Sequence, residues 1–320
     1  MMLTMITKNA AANYWRDHSL EETVSWEMEP GSRIELGYRE SDIPWEALTR
    51  AGVDECRLDI LVTDATKKRK STRYKTITWS GVLPEGSARL APEGFAVSSP
   101  EMCFVQCAAT RGLLETIRYG LEICGTYATE KGLHGGTYGR APLTDTGRLV
   151  QYVSKCGERR GVAIARRALQ YIVGWSASPM ETAVLMLLCL PVIYGGYGLP
   201  YPDMNGRFNP AARGRKHAQG SKFYCDLYWP EYALDVEYNG KSHEEDSSKT
   251  HDALRNNIIQ SKGTMVIVLT WDSVFKVERF DQSVQMIVKR MRIRYRHRIG
   301  KAKFVIARND LRQCVMPTLR

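Results

Sequence analysis

The sequence predicts a mixed α+β chain, α/β in character in its second half, and three observations carry the prediction. The first is a pair of apolar, β-prone runs at 223–228 and 232–238, parted by Trp229-Pro230-Glu231. The second is a continuous apolar run at 265–270, suited to a strand buried on both faces. The third is a repeated helix-start signal, Ser99-Pro100-Glu101 and Ser178-Pro179-Met180-Glu181. In each, a serine N-cap precedes a proline at the first helical position, and an acid complements the helix dipole. In order, the second half reads as helix 182–190, a strand near Arg207, strands 223–229 and 232–238, helix 246–261, strand 264–270, and a helix from about 272 to 297. That is αβββαβα around a mixed sheet.

The first half is a mixed α+β region in two parts. Residues 1–97 read as short strands and turns, interrupted at Pro30-Gly31, Pro44, Pro84-Glu85-Gly86 and Pro92-Glu93-Gly94. Residues 74–82 and 95–98 alternate like strands, whereas 3–15 and 45–51 suit helices. Residues 98–174 form a helical middle, with helices over 102–120, 121–127, 144–155 and 162–173. The glycines at 132, 135, 136 and 139 lack the Gly-Lys-Ser/Thr ending of a phosphate-binding loop. The organisation predicted is therefore 1–97, 98–174, a third domain over 175–300, and a basic tail over 301–320.

Charge narrows the partner. The 320 residues carry a formal net charge of +10, and all of that excess lies from Lys289 onward, where the only acid is Asp310. Met291, Ile293, Tyr295, Ile299, Phe304, Val305 and Ile306 are interleaved with these cations, which predicts an ordered basic element. Such a face favours nucleic acid, with Lys289, Arg290, Arg292, Arg294, Arg296 and Arg298 as phosphate contacts on a continuing helix. A solubilising tail or a self-association surface is the competing reading. Lys67 to Lys70, Arg73 and Lys75 form a second basic cluster, read as a solvated loop or hairpin, with a phosphate contact as the alternative. Eight cysteines include no C-x-x-C pair and sit mostly in apolar runs, so they read as buried thiols of a reducing, cytoplasmic compartment. A zinc role for Cys103, Cys107 and Cys124 is the alternative. No apolar stretch suits a signal peptide or a membrane span, and no membrane contact or small-molecule cofactor is expected.

The chemistry concentrates at 226–243. A loop centred between Glu231 and Tyr232 puts Asp226 opposite Glu237 on neighbouring antiparallel strands. Like charges directly opposed repel, so the pairing makes sense around a hard cation. Asp226 as a strand-end acid and Glu237 as an exposed strand residue is the other reading, and the pair alone does not choose. Glu181 sits three residues after Ser178, so it is a capping-box acid, a metal contact, or both. Asn239-Gly240 is a turn signature on its own account. His243 reads equally as a loop histidine, and Asp252 and Arg255 as a surface pair on a helix.

Together, Ser178-Pro179-Met180-Glu181, Cys225-Asp226-Leu227, Val236-Glu237-Tyr238-Asn239-Gly240, His243, Asp252 and Arg255 resemble the PD-(D/E)XK nuclease superfamily. More narrowly they resemble the very-short-patch-repair-like endonuclease branch, over roughly residues 175 to 275. The resemblance implies a restriction-endonuclease-like fold and a metal-dependent endonuclease acting on DNA, in phage defence or mobile-element biology. It implies Mg²⁺ or Mn²⁺ on Asp226 and Glu237, with Glu181 reaching the site from its helix. Lys241 or His243 would orient water or neutralise charge, and Arg255 would hold the backbone. Asn239 stands where the superfamily has lysine. The segment 94–108 resembles AbiEi-type abortive-infection antitoxins, which implies the alternative of an inactive, DNA-binding regulator with a toxin-like partner.

Overall fold

The computed structural model describes residues 4–25, 41, 43–53, 58–63, 66, 69–79, 81–129, 137–208, 223–240, 257, 259–293 and 301–316. The chain is a mixed α+β protein that divides into two compact units, Met1–Gly174 and Trp175–Arg320. The two parts that the sequence distinguishes before residue 174 belong to one unit, and residues 301–316 belong to the second. Among the described residues, no helix is long and apolar enough to cross a membrane.

The first unit is built on six strands: β1 (Met5–Ile6), β2 (Val24–Ser25), β3 (Leu58–Val62), β4 (Tyr74–Thr78), β5 (Ala88–Leu90) and β6 (Ala96–Ser98), in the sheet order β2-β5-β6-β1-β3-β4. β1 corrects the sequence reading of 3–15 as one helix. Met5 and Ile6 are fully buried and pair with Ala96, Val97 and Ile60, and only then does α1 (Lys8–Asp17) begin. Partners about fifty and ninety residues away claim the backbone hydrogen bonds that a local helix would have used.

After the short α2 (Trp45–Arg50), the helices gather behind β6. They are α3 (Pro100–Arg111), α4 (Leu113–Ile123), α5 (Thr146–Lys155) and α6 (Val162–Ala168), with a ribbon of β7 (Tyr127–Thr129) and β8 (Thr137–Gly139) between α4 and α5. The Ser99 hydroxyl accepts the Met102 N–H at 3.2 Å, with Pro100 in the first turn, as its sequence predicts. The expected helix 102–120 is two helices, because Gly112 adopts φ +81° between them.

The second unit opens with α7 (Pro179–Cys189), where the Ser178 hydroxyl caps the Glu181 N–H at 3.1 Å. Every residue from Glu181 to Cys189 is buried, as expected of a helix apolar on all sides. The sheet then follows: β9 (Asp203–Phe208), β10 (Phe223–Trp229), β11 (Leu234–Asn239) and β12 (Met265–Thr270), side by side in that order. β9, β10 and β11 are antiparallel neighbours, and β11 and β12 are parallel. A parallel pair requires a crossover of a dozen residues or more, and residues 257 and 259–261 of that crossover are helical.

The chain closes with α8 (Trp271–Phe275), α9 (Val277–Met291) and α10 (Ala302–Val315). The single helix expected from about 272 to 297 is thus corrected. A capping box of Thr270 and Ser273 starts α8, Lys276 goes extended, and Arg292 ends α9 in a left-handed conformation, φ +54°. Phe280, Val284, Ile287, Val288 and Met291 form the buried stripe of α9. The basic tail is ordered where described. Arg308 meets Asp281 at 3.4 Å, the Tyr197 hydroxyl donates to the same carboxylate, and Arg312 donates to the Val274 carbonyl at 2.7 Å and also to that of Phe275.

Candidate metal centre

The β10–β11 hairpin sets the geometry. Pro230–Tyr232 make one 3-10 turn, Ala233 turns the chain with φ +45°, and the ladder runs Trp229↔Leu234, Tyr228↔Asp235, Leu227↔Val236. One step further, the count sets Asp226 level with Glu237. There the ladder changes character, because the Tyr238 N–H donates to the Asp226 carboxylate, Oδ2, at 2.9 Å.

On the other side of Asp226, β9 pairs Gly206 with Cys225 and Met204 with Leu227 but omits Asn205. Asn205 is left-handed, φ +48°, a conformation that asparagine tolerates better than most residues. Its side-chain amide donates to the Trp175 carbonyl at 2.7 Å and to Glu181 Oε2 at 2.8 Å. The same Glu181 oxygen accepts the Ala177 N–H at 2.8 Å. Glu181 thus binds the backbone one residue before the Ser178 cap, at Ala177, rather than closing a capping box on Ser178 itself, and it holds Asn205, which the β9 register sets level with Asp226. Burial pushes the Glu181 carboxyl up, and the bonds from Ala177, Asn205 and Ser178 only partly oppose that.

Cys225, next to Asp226 along the strand, departs from the alternation. Leu227 and Trp229 are buried on one face of β10, and strict alternation would put Cys225 beside them. Instead Cys225 packs with Tyr228, Val266 and Ile259, and its sulfur lies with the carboxylates of Asp235 and Glu237. The ligand atoms of Cys225, Asp235 and Glu237 all fall within 4.8 Å of one another, with 0%, 0% and 8% exposure. It is the one such group of metal-ligating side chains among the described residues. Its outer end opens: Val268, in register with Glu237, is 44% exposed, and Asn239 at the end of β11 is exposed.

Of the residues anticipated from the sequence, Glu237 alone belongs to this group: half-buried Asp226 accepts the Tyr238 N–H, Glu181 accepts from Ala177 and Asn205, and Asn239 is exposed at the end of β11. Lys241, His243, Arg255, Arg294, Arg296 and Arg298 lie outside the described residues. Lys289 and Arg292 are exposed near the C-terminus of α9. Arg290 is turned inward, donating to the carbonyls of Tyr232, Ala233 and Gly263 at 2.9, 3.0 and 3.0 Å, which argues against its expected role on a phosphate. Cys103, Cys107 and Cys124, the alternative zinc ligands, are thiols pushed up by burial, Cys124 to about 12. Sequence reasoning missed Asp235 and Cys225. Asp235 had a signal, since it shares a strand face with Glu237. Cys225 had none, because alternation assigns it to the wrong face.

Two carboxylates and a thiol at this spacing can enclose a divalent ion, which would relieve the repulsion between the acids. No family model, no curated protein and no solved structure matches the chain.

Proposed function

We propose that the C-terminal unit is a metal-dependent endonuclease that hydrolyses phosphodiester bonds in DNA. The observation that carries this reading is the hairpin register, which sets Asp226 level with Glu237, itself a member of a buried acidic group, within an α-β-β-β-crossover-β order. Asp226 and Glu237 offer oxygens to Mg²⁺ or Mn²⁺, and a divalent ion there would lower the pKa of a bound water and offset charge on the phosphate. Asp226 is held by the Tyr238 N–H. Glu181 acts through Asn205, which it orients beside Asp226. The exposed Lys289 and Arg292, with the arginines that follow, supply cations for a phosphate backbone. The seven described cysteines are all free of disulfides, which supports a reducing compartment such as the cytoplasm.

The test is cleavage of supercoiled plasmid with Mg²⁺ or Mn²⁺. Wild type should nick it, and Asp226→Ala and Glu237→Ala should not. Equal activity in all three ends the catalytic reading.

One observation favours a second reading, a DNA-binding regulator without turnover. At the exposed end of β11 stands Asn239, which is neither a cation nor an efficient base. That reading expects DNA binding indifferent to Mg²⁺ and to Asp226→Ala. Calorimetric binding of Mn²⁺ that Asp226→Ala abolishes would count against it.

A further inference from the structure

We propose that Cys225, Asp235 and Glu237 form a sulfur-containing site for a borderline-soft divalent ion of the Zn²⁺ type, set behind the Asp226–Glu237 pair. The proposal shares Glu237 with the nuclease reading but does not depend on turnover.

The donor set comes from two adjacent strands. Asp235 and Glu237 are two residues apart on one face of β11, and the Cys225 sulfur of β10 lies with them, packed with Tyr228 and Val266, the register partners of Asp235. The spacing suits coordination. Zinc bonds of about 2.3 Å to sulfur and about 2.1 Å to oxygen, at tetrahedral angles, put neighbouring ligand atoms roughly 3.4–3.6 Å apart. The three atoms here lie within 4.8 Å, so side-chain rotation of about an ångström closes the set.

The chemistry of the donors selects the ion. Mg²⁺ requires an octahedron of oxygens and keeps several waters, and a thiolate in a pocket where Cys225 and Asp235 are fully buried offers neither. Sulfur with two carboxylates suits Zn²⁺, with Co²⁺ and Cd²⁺ as reporters. Three protein ligands leave one tetrahedral position open. That position would be taken by water, and beside Glu237 the residues that reach solvent are Val268 and Asn239. An ion in the site would fix the Glu237 carboxylate and the strand break that carries Asp226. Zn²⁺ would then be a resident ion, in addition to any Mg²⁺ that accompanies substrate.

The experiment uses the full chain, stripped of metal and titrated with Co²⁺. Wild type should develop a thiolate-to-cobalt charge-transfer band that Zn²⁺ displaces and excess Mg²⁺ does not. Cys225→Ser should lose the band and bind Zn²⁺ at least roughly tenfold more weakly, whereas Asp226→Ala should keep the band. Should Cys225→Ser misfold, X-ray absorption on zinc-loaded wild type decides, with one sulfur expected at about 2.3 Å among oxygen neighbours. A first shell of oxygen and nitrogen alone overturns the site, as does a cobalt band undiminished in Cys225→Ser. Inactivity on plasmid with the band intact removes the nuclease reading and leaves this one standing.

Discussion

Removing the Arg290 guanidinium should loosen the sheet of the C-terminal unit without touching a DNA contact. Arg290 reaches from the last turn of α9 to three backbone carbonyls: those of Tyr232 and Ala233 in the β10–β11 turn, and that of Gly263 at the entry to β12. One of those residues, Ala233 at φ +45°, holds a left-handed conformation that its own side chain disfavours. Hydrogen bonds from a charged donor contribute about 1.5–3 kcal/mol each when protected. Arg290 is half-buried, so water would re-satisfy part of the loss, and the net for Arg290→Ala is about 2–4 kcal/mol. Lysine keeps the charge but cannot span three acceptors, so Arg290→Lys should recover less than half. The assay is hydrogen exchange at the amides of β10, β11 and β12, which reads this sheet by itself. Their slowest exchange should accelerate by about two orders of magnitude in Arg290→Ala, since 1.4 kcal/mol is tenfold. Unchanged exchange together with weakened DNA binding would refute the reasoning and return Arg290 to the nucleic-acid face.

Three further outcomes are expected. Burial raises the Glu181 carboxyl in the folded protein, so its contribution to stability is present at low pH and is lost as pH rises through the folded value. Glu181→Gln, whose amide oxygen can still accept from Ala177 and Asn205, should match wild type in acid and be more stable at neutral pH. A Gln variant less stable at neutral pH, by denaturant titration, refutes that. Gly195 has φ +88°, and an added Cβ would sit 2.3 Å from the Ala307 carbonyl oxygen, so Gly195→Ala should detach α10 at a cost of about 3 kcal/mol or more. Proteolysis at the C-terminus reads it, and resistance equal to wild type contradicts it. Changing Arg292, Arg294 and Arg296 together to Gln should weaken DNA binding on all sequences and flatten its log–log salt slope by roughly 0.9 for each phosphate that is no longer neutralised. An unaltered slope would assign these arginines to solvent.

Much of the second unit was legible because its signals are local. Ser178 and Pro179 start a helix by capping chemistry that spans four residues. The Trp229-Pro230-Glu231 break centres the hairpin, so the level of Asp226 and Glu237 follows by counting. Alternation then puts Asp235 on the Glu237 face with no further information.

What tertiary structure decided depends on partners far along the chain. Met5–Ile6 is a strand because Ile60 and Val97 pair with it. The charge of the tail does not all face outward, because Arg290 finds carbonyls some 57 and 58 residues away, Arg308 an aspartate 27 residues away, and Arg312 the end of α8. Composition counts those cations but cannot assign their direction. Cys225 is the sharpest instance. It joins the acids against the alternation of β10, packed with Ile259 and Val266 from other elements. Local residue order determined which strands form and how they align, whereas the face that the Cys225 side chain takes was decided by packing against residues distant in the chain.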